Sequence, residues 1–146
     1  VGLKVSSKKQ LIQELAEIMA ACGCANNDEL DARVIVNAAL ERERLGSTGV
    51  GSGVALPHAR LDGLEKVIAV AVRLDAPVEY EAIDDRPVDL AVLILAPTNA
   101  GGDHLKALAL FSRKLRNEDV RARLRKAPDA ESFYTTFTEE ARATAA

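Results

Sequence analysis

Residues 88–95, Val-Asp-Leu-Ala-Val-Leu-Ile-Leu, carry seven apolar residues in eight positions, and the run ends at Pro97. A strand with one wet face alternates polar and apolar residues, whereas an unbroken run must be covered on both faces. Residues 67–72, Val-Ile-Ala-Val-Ala-Val, form a second run of the same kind. Strands like these need helices above and below them, so the expected class is α/β, a sheet sandwiched between helices. The 146 residues show no internal repeat and no long linker, and are read as a single domain, 1–146. A chain of that size buries roughly two-thirds of its unfolded surface.

The covering helices are legible from their spacing. Ser7 is placed to cap a helix from Lys8, with Leu11, Leu15, Ile18 and Cys22 on one stripe beside Ile12, Ala16 and Met19; Gly23 ends it. A second helix is expected after Asn26-Asn27, with Asp28, Glu29 and Asp31 near its positive end and Arg42 and Arg44 in its last turn. Leu30, Val34, Ala38 and Leu45 are expected to share its apolar face. Residues 99–103, Asn-Ala-Gly-Gly-Asp, open a third helix that lines up His104, Leu108, Phe111 and Leu115. Asn117 marks a break before a short basic helix, and Pro128-Asp129 starts a last one through Phe133, Tyr134 and Phe137. The alanine-rich tail from Glu139 is expected to fray.

Between the second helix and the first long run lies Gly46-Ser47-Thr48-Gly49-Val50-Gly51-Ser52-Gly53-Val54-Ala55-Leu56-Pro57-His58. Four glycines in eight residues let backbone amides approach a ligand closely. Val54-Ala55-Leu56 reads as a short strand, ended by Pro57, which restricts both itself and Leu56. His58 then stands rigidly beside amide donors. A neutral imidazole can attack phosphorus, and once phosphorylated it is a good leaving group, which suits a carrier. The competing reading is a half-buried histidine satisfied at a strand end.

Other residues enter on the same terms. His104, in a helix first turn, is a donor to a phosphoryl oxygen or a core-facing residue. Arg42 is a bidentate phosphate ligand or a solvated helix-end cation. Ser47, Thr48, Gly49, Gly51 and Ser52 form a phosphate-binding loop or simply a turn. The segment from Arg113 to Lys126 holds seven cations against two acids, and reads as a docking face for an acidic partner or as a solvated helix.

Several chemistries are excluded. The loop lacks the Lys of G-x-x-x-x-G-K-[ST], contains no G-x-G-x-x-G, and does not place Ser52 in a G-x-S-x-G elbow. Cys22-Gly23-Cys24 fits no common zinc spacing, so no metal and no cofactor is expected. A net charge of −3 argues against nucleic acid, and no apolar run reaches the length of a membrane span. With two cysteines and no signal-peptide pattern, a reducing cytoplasm is the expected location. The chain begins at Val1 rather than Met, so a short preceding segment is expected.

The stretch from Gly46 to His58 resembles the signature of the type-2 (fructose/mannitol) enzyme IIA domains of the bacterial phosphoenolpyruvate-dependent phosphotransferase system. Glu41-Arg42-Glu43-Arg44-Leu45, residues 82–90 (Ala-Ile-Asp-Asp-Arg-Pro-Val-Asp-Leu) and Asp103-His104-Leu105 are similar to its nitrogen-regulatory branch. The resemblance implies a mixed β-sheet flanked by helices, the mannitol-type IIA fold. It implies that His58 accepts a phosphoryl group from an HPr-like phosphohistidine carrier, with His104 as second pocket histidine and Arg42 on the phosphate. Sugar-transporting relatives often carry an acid six residues before the active histidine, where this chain has Ser52. That departure favours a regulatory protein read by target proteins such as kinases or transporters. Transfer to a sugar-specific IIB domain, and a protein-binding module that is not phosphorylated, are the alternatives.

Overall fold

Strand β5, Val88–Pro97, is the centre of the sheet and is buried along almost its whole length. A computed structural model describes residues 5, 7–21, 31–61, 64, 67–80, 82, 84–98, 102–133 and 135–136, without the side chains of 103 and 104. Strands β2 (Val54–Ala55) and β3 (His58–Leu61) run parallel to β5, while β4 (Ile68–Val78) is antiparallel to it. Strand β1 (Gly49–Gly51) folds back antiparallel onto β2. The sheet is therefore mixed.

Val54 stands opposite Leu90 and His58 opposite Ile94, so residues 54–61 keep one register along β5. The short strand expected to end at Pro57 instead resumes at His58. Pro57 has no N–H to give, but its carbonyl accepts the Ile94 amide at 2.9 Å, and the ladder continues past it. His58 is thus the first residue of a paired strand.

Alternate residues of β5 face opposite layers, as the period of a strand requires. Ala91, Leu93 and Leu95 pack in one core with Leu11 and Leu15 of α1 (Lys8–Ala21) and Ile35 of α2 (Ala32–Arg44). Leu90, Val92 and Ile94 pack in a second with Leu115 of α3 (Gly102–Arg116) and Val120 and Leu124 of α4 (Glu118–Lys126). Each such leucine contributes about 1.5–3 kcal/mol by leaving water. The residues 67–72 depart from the expectation of two buried faces. Ile68 and Val72 are buried but Ala69 is exposed, because β4 pairs only with β5 among the described strands and lies at the sheet edge.

The helix ends follow their caps. Ser7 Oγ accepts the Gln10 amide at 3.1 Å, and Asp31 Oδ1 accepts the Val34 amide at 3.0 Å. Asn117 Oδ1 accepts the Asp119 and Val120 amides. Residues 130–133 are helical and Phe133 is buried. Residues 22–30, with Cys22, Gly23, Cys24, Asn26, Asn27, Asp28, Glu29 and Leu30, lie outside the described residues, as do Tyr134, Phe137 and the tail.

The buried face of α2 differs from the one expected. Ile35 and Ala39 enter the core with Ala32, Val36 and Leu40 against it, whereas Val34 and Leu45 are exposed. Two apolar stripes overlap on this helix, and the branched Ile35 together with Leu40 has more area to remove from water than Val34 with Ala38. Of the second stripe, Ala38 is half-buried against the same core, and Ala38 and Leu45 line the cavity beside His58.

Candidate functional site

Two local devices aim the His58 ring. Its Nδ1–H donates to the Leu56 carbonyl at 2.9 Å, and its Nε2 accepts from Arg42 Nε at 3.2 Å. A carbonyl only accepts and a guanidinium only donates, so the two contacts together specify the neutral tautomer with the proton on Nδ1. The nucleophilic lone pair is on Nε2. Burial is the main reason that His58 is held below its ordinary pKa of 6.5. The Leu56 carbonyl opposes that shift, Arg42 reinforces it and the Glu43 charge offsets part of it. At neutral pH the ring is therefore uncharged.

Arg42 reaches His58 from the last turn of α2. Its Nη1 donates to the Gly46 carbonyl at 2.9 Å, which turns the side chain back over the loop that follows the helix. His58 and Arg42 line an open surface cavity of about 610 Å³ together with Leu45, Arg60, Leu105 and Leu108. Leu45 is 84% exposed and Leu105 65% exposed, so the cavity has an apolar rim around a polar floor. The backbone of His104 lies in the first turn of α3, one residue before Leu105 and one turn before Leu108. The helix that carries it therefore borders the same cavity; its side chain lies outside the described atoms.

The expected phosphate-binding loop is engaged differently. The Thr48 amide donates to both Glu43 carboxylate oxygens at 3.2 Å, the Gly49 amide to Ser47 Oγ at 3.1 Å, and the Ser52 amide to Asp84 Oδ2 at 2.9 Å. Ser47 Oγ in turn donates to the Tyr80 carbonyl at 3.2 Å. Gly49 faces Ala82, whose Cβ would lie 2.7 Å from any Cβ placed there. Gly51 and Ser52 border a smaller cavity of about 220 Å³ with Ser112, Arg116 and Arg121. The structure thus joins His58 to Arg42, and joins Ser47, Thr48, Gly49 and Ser52 to internal partners.

Three of the seven cations in the basic segment have internal partners described by the structure. Arg121 Nη1 donates to the Leu115 and Arg116 carbonyls at 2.8 Å, capping α3. Arg125 pairs with Asp89 at 2.9 Å and donates to the Ser52 carbonyl at 2.7 Å. Lys114 is buried, with its ammonium 5.9 Å from the centre of the Phe111 ring. Among the described residues no cluster of His, Cys, Asp or Glu could hold a metal ion, and no helix is long and apolar enough to cross a membrane.

Beneath the site is a buried group that sequence reasoning missed. The Glu43 carboxylate pairs with Lys8 Nζ at 2.8 Å, accepts from the Tyr80 hydroxyl at 3.1 Å and takes the Thr48 hydroxyl as well. Lys8 also stands over the Tyr80 ring, 4.7 Å from its centre. Burial first, and the Glu43 charge second, push the Tyr80 phenol far above its ordinary range, so it stays a donor. The available signal was Glu43 itself, a carboxylate next to Arg42 at the end of a helix, where cations are favoured.

An arginine-backed histidine of defined tautomer, open to solvent in a cavity with an apolar rim, has the chemistry to accept a transferred group and hand it on. Residues 1–140 match the model of the family described as phosphoenolpyruvate-dependent sugar phosphotransferase system, EIIA 2, and the chain belongs to that family. It is 47% identical over 136 residues to a nitrogen regulatory protein of Bradyrhizobium diazoefficiens, covering 93% of this chain and 86% of that one. It is 41% identical over 134 residues to a nitrogen regulatory protein of Pseudomonas aeruginosa, covering 92% and 84%. The crystal structure of nitrogen regulatory protein IIA-Ntr from Neisseria meningitidis superposes with a TM-score of 0.85 at 31% identity, covering 94% and 90%.

Proposed function

We propose that this protein is a cytoplasmic phosphohistidine carrier of the nitrogen-regulatory type, with His58 as phosphoryl acceptor. The observation that carries this reading is the pair of contacts on one ring, Nδ1–H to the Leu56 carbonyl and Nε2 to Arg42. In the transfer step Nε2 attacks phosphorus, the donor's phosphorus–nitrogen bond breaks, and its electron pair stays on the donor imidazole. Arg42 then turns from the ring to the phosphoryl oxygens, where bidentate geometry and charge stabilise the product. His104 is assigned a second contact to those oxygens from α3. Ser47, Thr48, Gly49, Gly51 and Ser52 serve the site as scaffold.

The donor is an HPr-like phosphocarrier, seated on the apolar rim of Leu45 and Leu105. The added phosphoryl group brings about −1.5 to −2 charges by analogy with other phospho-residues. That changes what the rim can dock, and regulatory target proteins read the difference. Incubation with phosphoenolpyruvate, enzyme I and the carrier, followed by intact mass, is expected to show one acid-labile phosphoryl group that His58→Ala abolishes. An unmodified wild-type chain would leave only a binding module. Rapid turnover to a sugar phosphate on adding IIB and sugar would make it a transport component instead.

A further inference from the structure

We propose that Glu43 is a positioning residue for phosphoryl acceptance, holding the His58 ring through Thr48 and Leu56. The inference rests on the carrier reading above and adds to it a part the reaction needs but never touches. The chain of contacts is continuous. Glu43 accepts the Thr48 amide and hydroxyl, the Thr48 carbonyl accepts the Leu56 amide at 2.9 Å, and the Leu56 carbonyl accepts His58 Nδ1–H at 2.9 Å.

The same short loop holds the second partner. Arg42 precedes Glu43 on α2 and donates to the Gly46 carbonyl, two residues before Thr48. The ring and the guanidinium are therefore both referenced to residues 46–48, and Glu43 is what anchors that loop at its buried end. Its side chain is only 5% exposed, and Lys8 balances its charge while Tyr80 occupies a further lone pair. A carboxylate buried this deeply is tolerable only with such partners. Removing it leaves the Thr48 amide without its acceptor and the Tyr80 hydroxyl with only the Thr48 hydroxyl, 3.1 Å away, and the loop moves to find another partner for the amide. A carbonyl displaced from His58 Nδ1 no longer selects the tautomer that aims the lone pair into the cavity.

The test uses two readouts, long-range nitrogen-15 spectra of the His58 side chain and phosphoryl acceptance with maximal rate and KM separated. Wild type is expected to show the Nδ1–H tautomer alone. Glu43→Ala is expected to mix the tautomers and to slow the maximal rate roughly tenfold to a hundredfold, the cost of small misplacements. The KM for the carrier stays within about twofold, since the docking rim is untouched. Glu43→Gln is expected to recover much of both, because its carbonyl still accepts the Thr48 amide. Tyr80→Phe, which removes one donor and keeps the ring, is expected to lie nearest wild type.

An effect of charge alone would make Ala and Gln variants alike and confine the change to the acidic side of the pH profile. That result overturns the proposal, as does a folded Glu43→Ala with wild-type tautomer and rate. Where Glu43→Ala does not fold, Glu43→Asp decides, because it keeps the charge and withdraws the acceptor from Thr48 by one methylene: mixed tautomers and a slowed rate support the proposal, and wild-type tautomer and rate overturn it equally. A wild-type chain that accepts no phosphoryl group would defeat the carrier reading, and the tautomer spectra would still decide the role of Glu43.

Discussion

Arg42 and Arg125 are both helix-end arginines with carbonyl and side-chain partners, yet they face different things. Arg125 spends its guanidinium on Asp89 and the Ser52 carbonyl, locking α4 to the β1–β2 turn. Arg42 spends one nitrogen on the Gly46 carbonyl and directs another at an imidazole in an open cavity. The run from Arg113 to Lys126 is dense in cations, and two of its seven, Arg121 and Arg125, tie elements together. Arg42, which donates to the His58 ring, is the one that the carrier reading puts on the phosphoryl group. Charge density along a chain says little; what a guanidinium faces says more.

The comparison breaks most easily at the arginines themselves. Arg42→Ala is expected to slow phosphoryl acceptance roughly a hundredfold, as loss of one charge-stabilising donor does, while leaving thermal unfolding nearly unchanged. Arg125→Ala is expected to do the reverse, costing about 1–2 kcal/mol of stability in urea unfolding for the lost charged hydrogen bonds, with the transfer rate intact. Exchanged outcomes would reverse the roles assigned here.

Gly53→Ala sharpens the structural half. A Cβ there would lie 2.5 Å from Arg125 Nη2 and 2.9 Å from Asp89 Oδ1, at a φ of +79°. A loss of about 1–3 kcal/mol is expected for the left-handed backbone and the displaced pair, measured by the same unfolding curves. In the double variant with Arg125→Ala part of that loss should disappear, because the displaced partner is gone.

The smallest effect is in pH. His58 has a folded pKa below its ordinary 6.5, so the unfolded chain takes up the proton first as pH falls. Its stability contribution is present above 6.5 and declines as pH drops from there through the lowered folded value. The transfer rate is expected to be flat from neutral pH upward and to fall only as pH approaches the lowered folded value. Arg42 and Glu43 are the charges acting on the ring, with Glu41 and Arg60 also lining its cavity. Around the turn, Asp84 is held below its usual 3.8 by the Ser52 amide first and the Arg86 amide second, so that region responds only in stronger acid. Stability curves of wild type and His58→Ala should diverge below 6.5 and run parallel above it.

Sequence alone determined the parts set by neighbours a few residues apart. The cap at Ser7, the doubly buried β5 and the glycine-rich approach to His58 all follow from local chemistry; Asp31, expected near the positive end of the second helix, and Asn117, expected only as a break, are caps in the structure. The resemblance carried by residues 46–58 added the family. Only tertiary structure decided which stripe of α2 entered the core, because helical period marks an apolar face without saying which of two overlapping faces meets a sheet. It also decided that the Ser52 amide serves an internal acceptor, since Asp84 is thirty-two residues away. Arg42 meets His58 across sixteen residues and Glu43 meets Tyr80 across thirty-seven. Contacts at such separations depend on how the layers stack, and no pattern along the chain encodes that distance.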